Sequence, residues 1–183
     1  IGGQAPDQEH VYLSINGDDF VYAVAADFLD AVDKGLDDLR DRRLLDVSVD
    51  DVEKAVVKNA GGGATLHLDR ESGWEVDLEG VNVRASDTEV RKLISKAVNL
   101  KAESFEGELG NLAKVGLVDP LVEIELLVGK KKVAVQVGDG CDDGGYHAMV
   151  AGSKEVSCVG GGFLKALEQP ARRYVDMGLV DVK

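Results

Sequence analysis

The chain has 183 residues, of which 44% are hydrophobic and 30% charged; that balance supports one ordinary core, or one and part of a second, and excludes a disordered chain. Its 34 acidic against 21 basic residues leave a net charge of −13, which repels phosphate backbones and anionic headgroups, so no nucleic acid is expected as a partner. With only 5% aromatic residues, the core rests on Val, Leu, Ile and Ala, a composition that predicts an α+β fold of antiparallel sheets with packed helices.

No apolar run approaches the ~18 residues that span a bilayer, so no membrane insertion is expected within this chain. The polar, Gly-rich lead from Ile1 lacks a signal-peptide pattern and leaves room for an upstream export signal or anchor. From residue 12 the pattern reads strand, tight turn at Gly17, strand, then an amphipathic helix. That helix follows Asp27 as N-cap and carries Phe28, Leu29, Val32, Leu36 and Leu39 on one face. The aspartates from Asp27 through Asp51 scatter around it as a solvated surface, with Arg40, Arg42 and Arg43 expected to pair with them near the helix end.

Val52–Lys58 and Ala64–Leu68 are strand-like and joined by Gly61-Gly62-Gly63, which permits a hairpin. Trp74–Leu78 adds a strand in which Trp74, Val76 and Leu78 share one face toward the core. Ser86 and Glu89 have capping-box spacing ahead of a helix that buries Val90, Leu93, Ile94, Ala97 and Val98. A shorter helix with Leu109, Leu112, Ala113 and Val115 ends at Gly116 and is stopped by Pro120. Leu121–Val128, Lys132–Val137, Tyr146–Val150 and Glu155–Val159 then predict an antiparallel meander closed by a helix from Phe163.

This closing segment is a second copy of the opening one. Residues 12–47 align without a gap on residues 147–182, an offset of 135, and ten of the thirty-six pairs are identical, against about two or three for random pairing. The identities are Gly17/Gly152, Val21/Val156, Val24/Val159, Phe28/Phe163, Leu29/Leu164, Ala31/Ala166, Asp41/Asp176, Leu44/Leu179, Asp46/Asp181 and Val47/Val182. Residues 1–47 therefore read as the closing part of a preceding repeat unit, and residues 48–183 as a complete unit.

Leu39-Arg40-Asp41-Arg42-Arg43-Leu44-Leu45, Gly73-Trp74, Gly116-Leu117-Val118-Asp119-Pro120, Val137-Gly138 and Tyr146 follow one another in order. In that order the chain, from about residue 11 to its end, resembles domain-of-unknown-function family 4340, a bacterial envelope family of repeated units. The resemblance implies an extracytoplasmic location, periplasmic or at the cell surface, with an anchor outside this chain. It also implies a non-catalytic accessory role beside an ABC transporter of the gliding-motility type, with transporter components or neighbouring repeats as protein partners. It carries over no catalytic residues, and the second exit, Arg172-Arg173-Tyr174-Val175-Asp176-Met177-Gly178, departs from the charged form of the first.

Among residues that bear chemistry, Asp139, Asp142 and Asp143 in the loop Asp139–Gly144 are the metal candidates, since calcium takes six to eight oxygen ligands. The loop fails the EF-hand template, because Cys141 sits at the third ligand position and Val150 where the bidentate Glu belongs. Gly160-Gly161-Gly162 precedes a helix, where amides can cradle an anion; its counterpart Ala25-Ala26-Asp27 argues for a plain connection. His10, His67 and His147 stand apart on strands, Ser72 lies in a turn rather than a nucleophile elbow, and Cys141 and Cys158 have no zinc-motif spacing, so one disulfide and two free thiols both fit. Cys158 aligns with Ala23, which suits a small buried side chain. No cofactor and no catalytic group is expected. The leading expectation is a binding or scaffold module; the alternative is a divalent-cation-dependent ligand-binding or hydrolytic domain.

Overall fold

A computed structural model describes residues 1–178, apart from the side chains of Leu36 and Asp143. The chain packs as two compact units, Ile1–Asp41 and a second that begins at Arg42. Both are mostly antiparallel sheet with a few helices.

In the first unit, β1 (His10–Ser14) and β2 (Val21–Ala25) form an antiparallel hairpin, followed by helices α1 (Asp27–Val32) and α2 (Leu36–Leu39). Gly17 in the hairpin turn has φ of +88°, a conformation that only a residue without Cβ enters freely. Asp27 is not the N-cap: the backbone at Ala26 is already helical, with φ −63° and ψ −26°, and holds that position without a side-chain bond. Asp27 lies in the first turn, where its charge still suits the positive helix end.

The second unit carries β3 (Val52–Asn59), β4 (Ala64–Asp69), β5 (Gly73–Leu78), β6 (Val81–Arg84), α3 (Asp87–Val98) and β7 (Ala102–Glu108). It continues with β8 (Val122–Val128), β9 (Lys131–Gly140), β10 (Tyr146–Val150), β11 (Glu155–Val159) and α4 (Gly162–Leu167). Among the described residues, nine strands form one sheet in the order β6-β5-β4-β3-β8-β9-β10-β11-β7. Two meanders, β3 to β6 and β8 to β11, join along β3 and β8, and every pairing is antiparallel.

Alternation decides which face is core. On β8, Val122, Ile124 and Leu126 point inward and are fully buried, while Glu123 and Glu125 on the other face hold Lys58 and Lys132 at 2.7 and 3.0 Å. Helix α3 runs from the β6 edge to deliver β7 to the opposite edge, and it buries the five predicted residues Val90, Leu93, Ile94, Ala97 and Val98. Its N-cap is Ser86, but the capping box is not made: the Ser86 side chain forms no cap bond, and Glu89 turns to Lys92 and Arg173. Beyond the predicted elements, β6 and β7 are additional strands.

The Gly61–Gly63 turn does join β3 to β4. Gly63 has φ of +72°, and a Cβ there would overlap the Val57 carbonyl. The predicted helix before Gly116 is a single 3₁₀ turn, Leu112–Val115, closed by Gly116 in the left-handed conformation at φ +69°. It lies so close on β9 that a Cβ on Gly138 would run into Val115 and Gly116. Two stretches that carry the family resemblance, at Gly116 and at Gly138, therefore meet in space.

The duplicated segments adopt the same local structure. Moved by 135 residues, α1 (Asp27–Val32) falls on α4 (Gly162–Leu167), and α2 (Leu36–Leu39) on the 3₁₀ turn Ala171–Tyr174. Ser14 faces Val21 in the first hairpin, and the equivalent Met149 faces Val156 in the second. Gly152 repeats the positive φ of Gly17, at +85°. The pairs Leu44/Leu179, Asp46/Asp181 and Val47/Val182 run outside the described residues.

Candidate functional site

One groove of the second unit is lined by four basic side chains, Lys92, Lys96, Lys165 and Arg173, although the chain as a whole is acidic. Helix α3 aligns Glu89, Lys92 and Lys96 at three- and four-residue spacings on one stripe beside its buried face. Helix α4 and the turn after it bring Lys165, Gln169 and Arg173 to face them across a groove of about 300 Å³. Beyond Lys96 the surface continues into a depression of about 530 Å³ lined by Asn99, Lys101, Gly160, Gly162 and Phe163.

Glu89 organises this stripe. It accepts a 2.9 Å bond from Lys92 and lies 3.1 Å from Arg173. The Lys92 hydrogen bond, with the charges of Arg173 and Lys92 behind it, holds its carboxyl below the ordinary carboxylate range. Lys96 and Lys165 add charge that Glu89 alone does not balance. Such a groove favours carboxylate- or phosphate-bearing ligands, by attraction that weakens with salt.

The groove wall ends on Tyr174, which is buried and whose hydroxyl has no hydrogen-bond partner. Burial pushes the phenol up to about 12. An unfolded tyrosine ionises near 10, so the folded protein holds a proton that the unfolded chain loses between about pH 10 and 12, and stability falls as pH rises through that window. Tyr174→Phe is expected to keep or raise stability at neutral pH, by up to about 1 kcal/mol, because it removes an unpaired buried hydroxyl. It should also flatten the alkaline loss. Urea midpoints of both proteins at pH 8 and pH 11 check this; equal alkaline slopes would count against it.

A second cluster lies on the other face of the sheet. Cys141 and Cys158 are joined in a disulfide, closed against Gly145 so tightly that a Cβ there would sit 2.7 Å from the Cys158 sulfur. His147 Nδ1 is 3.1 Å from a Glu106 carboxylate oxygen, a close contact not aligned as a hydrogen bond. Ligand atoms of Glu106, Cys141 and His147 lie within 4.8 Å of one another. A sulfur held in a disulfide offers no thiolate, which is the form that ligates metal.

The remaining sequence candidates disperse. Among the described residues, Asp139 and Asp142 do not gather with a third ligand atom; both are exposed, and the Asp143 side chain lies outside the described ones. The loop is instead tied by the Cys141 bond and by Gly145 N–H donating to the Asp142 carbonyl at 3.2 Å. His10 and His67 each sit against a carboxylate, Asp7 at 2.8 Å and Glu75 at 3.0 Å. Ser72 closes a turn onto Asp69 and Glu75. Of the arginines near the first helix, Arg40 lies 3.6 Å from Asp37, while Arg42 donates to the Glu103 carbonyl instead. Gly160–Gly162 opens a helix of only six residues.

Sequence reasoning missed both clusters. Lys92 and Lys96 are legible as one helical stripe, but Lys165 comes from a distant helix and Arg173 from the turn after it, and Glu106 stands on a strand the sequence did not announce.

The sequence model of one family, described as a domain of unknown function (DUF4340), matches residues 1–106 and again residues 74–183. No curated protein and no solved structure matches the chain.

Proposed function

The chain belongs to the DUF4340 family, and from that premise we propose that it is a non-catalytic binding or scaffold module, one complete repeat unit preceded by the closing half of another. It works outside the cytoplasm, in a protein anchored to the membrane beside an ABC transporter, with transporter components or neighbouring repeats as its partners. The observation that carries the binding reading is the cationic groove between α3 and α4 on a chain of net charge −13. It suits an acidic segment of a partner protein. The Cys141–Cys158 disulfide favours an oxidising compartment. Among the described residues no helix is long and apolar enough to cross a membrane, so the anchor of this reading lies elsewhere.

The test has two parts. Cell fractionation with thiol labelling of the native protein should find it outside the cytoplasm with both cysteines bonded; recovery in the cytosol with free thiols would end the location. Lys96→Glu combined with Lys165→Glu should reduce crosslinking to membrane partners about tenfold at an unchanged melting temperature. Unaltered crosslinking would remove the groove from the interface.

The alternative, a divalent-cation-dependent ligand-binding or hydrolytic domain, draws on the proximity of Glu106, Cys141 and His147. Ligand at a hundred times its Kd stabilises a fold by about 2.7 kcal/mol, a shift of several degrees. With Cys141 committed to sulfur, millimolar calcium, magnesium or zinc is expected to move the melting temperature by less than about 1 °C. A rise of several degrees that Glu106→Gln abolishes would favour the alternative.

A further inference from the structure

We propose that the uncovered apolar surfaces of β1, β2 and α1, on both sides of the hairpin, seat the β7–β9 and α3 layer of another DUF4340 unit, joined in the same polypeptide directly ahead of Gly2–Ala5. The inference rests on residues 1–47 being the closing part of a preceding unit, not on the location or partner role above.

The apolar surface is concentrated there. Among the described residues, nine of the fourteen exposed large hydrophobic side chains fall in residues 1–41, more than solvated single residues account for. The duplication tells what should cover them, because four of them align with buried hydrophobic residues of the complete unit. Val21 is 66% exposed and its counterpart Val156 0%; Phe28 is 37% and Phe163 6%; Val32 is 47% and Leu167 0%; Leu39 is 73% and Tyr174 3%. Val156 is covered by Leu117 and Met149, in the small core that the Leu112–Val115 turn closes. Phe163 and Leu167 lie in the main core, where α4 packs on α3 and β8.

The first strand of that layer is already begun. Tyr12 N–H donates to the Gly3 carbonyl at 3.1 Å, and Gln4 pairs with Val11. Moved by 135, this is the register in which Ala148 faces Val137 along β10 and β9. The layer would thus continue an existing strand pairing, which places it in the same chain. A second copy offers no vacant layer, since its own β10, β11 and α4 occupy those positions.

The test joins residues 42–135 of this chain ahead of Ile1, so that the added strand runs into Gly2–Ala5 in register. Amide exchange in residues 21–32 should slow about tenfold or more, with the product monomeric, and Phe28→Asp with Val32→Asp should abolish the slowing while residues 42–178 melt unchanged. An added segment that folds but leaves residues 21–32 fast overturns the docking and spares the repeat reading; one that stays unfolded overturns both. Slowing that survives the aspartates overturns the assigned face. Sizing of the unextended chain adds a last arm, because a dimer with residues 21–32 protected would make a second copy the occupant and overturn the proposal.

Discussion

Leu126→Ala is expected to lower the unfolding free energy of the second unit by about 3 kcal/mol, or roughly 10 °C in melting temperature. Leu126 is fully buried on β8, directly opposite Ala55 on one neighbour and Val133 on the other. Strands on both sides and a core on its face fix the backbone, so the vacated volume cannot be filled by collapse, and a cavity term adds to the lost transfer energy. Val81→Ala on the edge strand β6 removes a side chain that is mostly exposed and should change stability by less than about 0.5 kcal/mol. Urea unfolding of the two variants at unchanged m-value measures the contrast. Equal losses would mean that β6 is packed against something other than solvent.

That contrast between centre and edge also explains how far the fold could be read from the sequence. The central strands β3, β4, β8 and β9 carry runs of apolar, strand-forming residues because one face meets the helices, and they were legible from those runs and the Gly-containing turns that bound them. The strands that were missed, β6 and β7, are the two edges of the sheet. An edge strand is kept from pairing with other chains by charge and short length, and the same features erase the pattern by which strands are recognised. Val81–Arg84 is only four residues long, and Ala102–Glu108 carries three glutamates. Helix α3 was legible in full on its buried face, since packing sets that periodicity. Its capping box was not, because the stronger partners of Glu89, Lys92 and Arg173, outcompete a backbone amide and Arg173 is remote in sequence.

The duplication was legible because identity survives wherever two copies share a local constraint. Gly17 and Gly152 need positive φ, and Phe28 and Phe163 sit at one helical position. Sites drawn from different elements leave no such trace. The groove is made when α4 meets α3, and the Glu106–His147 contact when β7 returns to the sheet edge beside β11. Spacing along the chain says nothing about either meeting. The two cysteines left both outcomes open, and it is the fold of β10 and β11 that brings them together.

Removing that link by Cys141→Ser with Cys158→Ser is expected to cost about 3 kcal/mol, the loop-closure value for a loop near this length. The bond spans seventeen residues and ties the loop between β9 and β10 to β11, the second strand of the β10–β11 hairpin. The first hairpin has Pro6 and Ala23 at the corresponding positions and so gains nothing from a crosslink. A thiol reductant should therefore lower the melting temperature of the wild type and leave the double variant unmoved. Because the bond touches only β11 and the loop before β10, the loss should first appear as faster amide exchange over residues 141–159, while β3 and β8 at the centre of the sheet keep their protection. Uniform acceleration across the sheet would show instead that the disulfide acts on global unfolding alone. In that case the β10–β11 hairpin, the element the chain carries twice, does not open as a separate cooperative piece.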